Sequence, residues 1–140
     1  INGRVNHLWQ SLFDDKRKPH LIQRYPVSFI EINPEDAESY GIVSGDMVQI
    51  ASDNVRTQDQ GTYHGAFTAT AYVTDQVPPG VLWSFFHYPG SPGNSVVAGD
   101  AMTTPVNPRQ LFKFGRGKLT RLGSSDLSNT MSFVPRNIFP

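Results

Sequence analysis

Ile32-Asn33-Pro34-Glu35-Asp36-Ala37-Glu38-Ser39-Tyr40-Gly41-Ile42-Val43-Ser44-Gly45-Asp46-Met47-Val48-Gln49-Ile50 is the stretch whose reading decides the fold. Asn33 is a good N-cap, Pro34 suits the first helical position with its fixed φ, and Glu35, Asp36 and Glu38 face the positive end of the helix dipole. Gly41 is placed to end the helix in a left-handed conformation. Ser44-Gly45-Asp46 then reads as a tight turn and Met47 to Ala51 as a buried strand. The unit is a short helix that delivers a strand, and every residue in it has a structural task.

Outward from this unit the chain is rich in strands and turns. Val27 to Ile32 reads as a strand leading into the helix. Asp53 to Gly65 is polar and reads as a hairpin loop. Ala66 to Val73 alternates, with Phe67, Ala69, Ala71 and Val73 on one face, which predicts a strand with one side on the core. Val77-Pro78-Pro79-Gly80 reads as a turn, and Val81 to His87 as a central strand too apolar to have a wet face. Tyr88 to Ser95 is a loop whose Gly and Pro residues impose a specific, tight path. Arg109 to Leu122 holds the last strands. Twelve glycines and eleven prolines in 140 residues fit such frequent turns.

A chain of 140 residues suits one domain that buries roughly 68–70% of its unfolded surface. Twelve basic and twelve acidic side chains cancel, which speaks against a nucleic-acid binder working through a broad basic field. The charges are segregated: Glu31 to Asp75 carries eight acids against Arg56 alone. Arg4, Lys16, Arg17, Lys18 and Arg24 lie near one end, and Arg109, Lys113, Arg116, Lys118 and Arg121 near the other. If the ends meet in the fold, they make a local anion site.

Cysteine is absent, so disulfides, thiolate zinc and iron–sulfur ligation are excluded within this segment. No apolar run approaches a membrane span. Ile1 stands where an initiator Met is expected, so the chain reads as a piece of something longer. His7, His20, His64 and His87 are too scattered for a metal pair on one helical face. No Gly-x-Ser-x-Gly elbow, P-loop or complete dinucleotide fingerprint occurs, Gly115-Arg116-Gly117 lacking the third glycine. No nucleophile is paired with a base, so no catalytic or metal-ligating residue is assigned.

Binding residues are easier to place. Ile1 to Ser11 reads either as an edge segment with Trp9 in the core, or as a loop in which Arg4 holds a phosphate while Asn6, His7 and Gln10 read the edge of a ring system. His87 at a strand end and Asn94 in the stiff loop read either as surface groups or as ligand contacts.

Gly3-Arg4-Val5-Asn6-His7-Leu8-Trp9-Gln10-Ser11, the helix–strand unit, Val77-Pro78-Pro79-Gly80, Asn94 and Phe112-Lys113 occur in the order seen in the C-terminal, molybdopterin-dinucleotide-binding domain of the dimethyl sulfoxide reductase family. The chain resembles that domain almost throughout, and within the family it is most similar to the large, molybdenum-bearing subunit of arsenite oxidases. The family often has His-Thr-Gly where this chain has Gln10-Ser11-Leu12. The resemblance implies a mainly β fold, a six-stranded double-psi β-barrel with short helices and long loops. The barrel is expected over residues 1–123. Residues 124–140 read as a tail from their composition, and because Met131, Phe133, Val134, Ile138 and Phe139 are costly to leave in water, the tail is expected to pack on another domain or subunit.

The resemblance further implies two molybdopterin guanine dinucleotides on molybdenum, with Arg4, Asn6, His7, Trp9, Gln10 and Ser11 along a pterin and its diphosphate, and His87, Asn94 and Lys113 against pterin or guanine groups. The parent would oxidise arsenite to arsenate by oxygen-atom transfer. Its iron–sulfur cluster would lie in upstream domains of the same subunit, a Rieske-type small subunit would be the partner, and the location would be periplasmic; neither nucleic acid nor a membrane span is expected. Two other readings are a formate dehydrogenase or nitrate reductase, and an adaptor barrel that binds protein.

Overall fold

The computed structural model describes residues 1–3, 27–56, 61–85, 88, 91, 93–97 and 114–128. The helix–strand unit takes the form its sequence dictates. Helix α1 (Pro34–Tyr40) starts at Asn33, whose Oδ1 accepts from the Glu35 N–H at 2.9 Å, and stops at Gly41, left-handed at φ 62°. The Ile42 N–H closes the end on the Ala37 carbonyl at 2.8 Å. Asn33 has a second task that the cap pattern does not reveal: its buried Nδ2 donates to the Val77 carbonyl at 2.8 Å, tying the helix start to a distant turn. Asn33→Ala is therefore expected to cost about 1–2 kcal/mol, since both a cap and a buried acceptor lose their partner; urea unfolding measures it.

Six described strands form one mixed sheet in the order β1-β5-β2-β4-β3-β6. They are β1 (Asn2–Gly3), β2 (Phe29–Ile32), β3 (Met47–Arg56), β4 (Thr62–Val73), β5 (Leu82–Phe85) and β6 (Lys118–Gly123). β1 runs parallel to β5 and β2 parallel to β4, while the β2–β5, β3–β4 and β3–β6 pairs are antiparallel. The fold is thus mainly β. Among the described residues β1 and β6 are the sheet's edges.

Two expectations are corrected. The 53–65 segment is not simply a loop: β3 continues to Arg56 and β4 begins at Thr62, with an irregularity between Ser52 and Val55. A bulge there turns Asp53 and Asn54 outward while Val55 stays buried, so polar residues extend the ribbon without entering the core. Secondly, β4 has no wet face at its middle. Phe67, Ala69 and Ala71 join Ile30, Ile32, Val48, Ile50 and Leu119 in the main core, as their alternation predicts. Thr70 on the other side is also buried, with its hydroxyl against Met47 Sδ.

A second cluster covers that other side. Phe29 and Phe85 are its buried centre, with Trp83, Tyr72, Tyr88 and Leu127 packed around them. The turn at 125–128 therefore packs on the sheet itself. Its Ser125 hydroxyl donates to the Gly45 carbonyl and its Ser128 hydroxyl to Asp46 Oδ1, both at 2.7 Å. Residues 129–140, the remainder of the expected tail, lie outside the described residues.

Candidate functional site

At one end of the main core a cavity of about 280 Å³ opens between the sheet and the segments that cross it. Ile30, Ile50 and Phe67 are among its apolar lining, and Leu82 and Val96 extend it. The rim is backbone-rich, with Gly80, Gly93 and the run Gly115-Arg116-Gly117.

Two of these glycines are there because the backbone passes too closely for a side chain. A Cβ on Gly117 would come within 2.7 Å of the Ile50 side chain, and one on Gly115 would collide with the Val96 carbonyl oxygen. Their absence of side chains brings Arg116 to the rim, where it is exposed. Ile1 lines the same cavity, held by N–H donation to the Leu82 carbonyl at 2.8 Å. Ile1 and the run Gly115-Arg116-Gly117 thus line one cavity, while Arg4, Lys16, Arg17, Lys18 and Arg24, the N-terminal cations of the expected anion site, lie outside the described residues.

The Gly- and Pro-rich loop is anchored at Ser91. Ser91 accepts from the Thr68 N–H at 3.1 Å, and its hydroxyl donates back to the Thr68 carbonyl. The loop then enters a 3-10 helix over Gly93–Val96, which packs on β4. Asn94 is the second residue of that helix, next to the cavity-lining Gly93, and is exposed. Of the nine residues assigned from sequence, Asn94 alone falls in the described part. Arg4, Asn6, His7, Trp9, Gln10, Ser11, His87 and Lys113 lie outside the described residues.

Not every member of the basic cluster is available for a ligand. Arg121 donates through Nε to Asp46 Oδ2 at 2.7 Å, and Asp46 is fully buried. Burial alone would raise the Asp46 pKa, but hydrogen bonds from Arg121, Ser128 and the Val43 N–H outweigh it and hold the carboxyl below its ordinary value. Arg121 is thus structural, and among the described cations of this run it is Arg116 that lines the cavity. The sequence shows Arg116 only as one charge among five; its flanking glycines are the signal that a close backbone approach presents it. His64 pairs with Asp53 at 2.6 Å on the exposed ribbon, consistent with a hydrogen-bonding role. Among the described residues no three metal-ligating side chains come together, and no helix is long and apolar enough to cross a membrane.

The family model for the "Molydopterin dinucleotide binding domain" matches residues 1–114. The chain belongs to this molybdopterin-dinucleotide-binding family. Its relatives include the iodate reductase subunit IdrA of Pseudomonas sp. (strain SCT), 42% identical over 98% of this chain. The IdrA subunit of Denitromonas iodatirespirans is 39% identical over the same share. The arsenite oxidase subunit AioA of Herminiimonas arsenicoxydans is 31% identical over 88%. The chain spans 18% of the length of either iodate reductase subunit and 13% of that arsenite oxidase subunit.

The site fits part of the cofactor this family is named for. A volume of about 280 Å³ is below the usual range for a drug-sized ligand and suits one ring or one phosphate group, not a dinucleotide. An exposed guanidinium, an exposed amide and the backbone of closely packed glycines are the groups that suit a phosphate and a ring edge. A whole dinucleotide would need more surface than this cavity offers.

Proposed function

We propose that this chain is the cofactor-binding domain of a molybdenum oxidoreductase subunit that transfers an oxygen atom to or from a small oxyanion. Identity of 42% sustained over 98% of the chain carries the reading and favours iodate reduction. Arsenite oxidation, the reaction implied by the sequence resemblance, stands second on 31% identity over 88%. Formate oxidation is less favoured, because the formate dehydrogenase subunit of Methanocaldococcus jannaschii aligns over only 61% of the chain. An adaptor that binds protein has no support in these relatives.

In this reading the mixed sheet belongs to a six-stranded double-psi barrel, the fold that the sequence resemblance implies. Arg4, Asn6, His7, Trp9, Gln10 and Ser11 hold a pterin and its diphosphate, while His87, Asn94 and Lys113 face pterin or guanine groups. Arg116 adds a cation at the cavity mouth. Bound there, molybdenum bis(molybdopterin guanine dinucleotide) supplies the two-electron redox chemistry, and the domain binds, orients and shields it. An iron–sulfur cluster in upstream domains, a Rieske-type small subunit and a periplasmic location complete the proposal.

The test is made on the natural full-length protein. Elemental mass spectrometry is expected to give about one molybdenum per chain, the stoichiometry of a single bis-pterin centre; none, in protein from molybdate-fed cells, would overturn the reading. Reduced viologen oxidised on addition of iodate, without acceptor reduction by arsenite, would favour the iodate reaction, and the reverse pattern the arsenite one. Arg4→Ala, Lys113→Ala and Arg116→Ala are each expected to lower molybdenum content while leaving the fold intact, as read by circular dichroism. Unchanged metal content in all three would reject the assigned groups.

A further inference from the structure

Glu31 sits where a carboxylate is costly. It lies in β2 on the side of the sheet that carries Phe29, opposite the side of Ile30 and Ile32 in the main core. Its register partners are Tyr72 in β4 and Trp83 in β5, so it stands between two aromatic residues. Trp83 is held in place: its ring centroid lies 5.8 Å from that of Phe29, and a Cβ on Gly3 would come within 2.5 Å of the indole. Glu31 is partly buried, and among the described residues it has no hydrogen-bond or ion-pair partner.

Burial raises its pKa with no opposing group to lower it. Asp46, on the same domain, shows the contrast: it is fully buried, yet three donors hold its carboxyl below the ordinary value. A partly desolvated acid without a donor destabilises the domain by itself. Tyr72, Trp83 and Tyr88 are also only partly buried, so this patch is an open apolar rim around one negative charge.

We propose that the Glu31–Tyr72–Trp83 face docks a cationic side chain, best a guanidinium, from the upstream part of the same full-length subunit. The argument is charge complementarity. Eight acids against one base between Glu31 and Asp75 make this part of the chain acidic, and among the described residues no cation pairs with Glu31. Aromatic rings beside a carboxylate favour a planar cation, which gains from the ring quadrupole while it donates to the acid. The proposal rests on the cofactor-domain reading for the existence of that upstream part, which the relatives' much greater length supports.

The test uses the cofactor-loaded, full-length protein with Glu31→Gln and Glu31→Lys. Thermal unfolding should rank wild type above Glu31→Gln and Glu31→Lys lowest, and limited proteolysis near the domain boundary should be fastest in Glu31→Lys, by about tenfold if one charge-assisted pair is replaced by repulsion. A Gln variant as stable as wild type or more stable is what an unpartnered, partly buried carboxylate gives, and would overturn the proposal. A ranking that disappears on dilution would move the occupant to a second copy of the chain and overturn it equally. Molybdenum content is read in the same samples: its absence from wild type defeats the cofactor reading, whereas the ranking of the three proteins tests Glu31 alone.

Discussion

Asp46→Ala is expected to cost about 3 kcal/mol of folding stability, because it removes a buried carboxylate on which three donors converge. Arg121 Nε and Ser128 Oγ approach its two oxygens at 2.7 Å, and the Val43 N–H reaches Oδ2 at 3.1 Å. Arg121 is partly exposed and can return to water after the substitution, but the Val43 N–H and the Ser128 hydroxyl lose their acceptor. Asp46→Asn should cost less, since it keeps an acceptor and the shape. The pH dependence has a definite sign. The native pKa is depressed, so the stabilisation is present above the ordinary aspartate value and lost as pH falls through the native one. Urea unfolding across the acid range should show this acid limb in wild type and a shallower one in Asp46→Asn. Superimposable acid limbs would show that the network contributes no pH-dependent stability.

The same network marks the limit of what the sequence could tell. Gly45-Asp46 is legible as a turn, because a short polar residue after a glycine between two apolar runs has few other uses. That Asp46 is a buried anchor is not legible, because its partners lie 75 and 82 residues away. The basic cluster misleads for the same reason: Arg116 and Arg121 look alike in the text, and only pairing to a buried acid separates them. The tail boundary at residue 124 follows from composition, whereas the turn at 125–128 belongs with the sheet through Gly45, Asp46 and the second aromatic cluster.

Local signals fared better than face assignments. Asn33, Pro34 and Gly41 fix the helix ends through contacts a few residues apart, so their pattern determines the outcome. The alternation in β4 identified the main core side. It could not show that Thr70 is covered as well, because the cover comes from β2, β5 and residue 127, which no period within β4 encodes. For the site, the basic residues at both ends read as an anion-binding set, of which Arg116, Lys118 and Arg121 fall among the described residues. What places Arg116 at the cavity is the pair of glycines at 115 and 117, whose role is spatial and which form no dinucleotide fingerprint.

Gly65→Val is expected to cost about 2–3 kcal/mol and to lower cofactor content in the full-length protein. Gly65 is buried in β4 opposite Ser52, and a Cβ there would collide with the Ser95 carbonyl oxygen and come within 3.1 Å of Val55 Cγ2. The obstacle is backbone, so no rotamer change relieves it, and the 3-10 helix over Gly93–Val96 must lift from the strand. That helix carries Asn94, and its Gly93 and Val96 line the cavity. Displacing it therefore disturbs the site as well as the packing. Gly80→Ala is the matched control: Gly80 has φ 76° with nothing within 4 Å of a new Cβ, so about 1 kcal/mol of backbone strain is expected there. Although Gly80 also lines the cavity, an outward methyl leaves the 3-10 helix in place, and metal content should hold. Unfolding midpoint and molybdenum per folded chain, measured for both variants, decide the matter. Equal metal loss in the two would tie cofactor retention to stability in general, and loss confined to Gly65→Val ties it to the placement of the helix that bears Asn94.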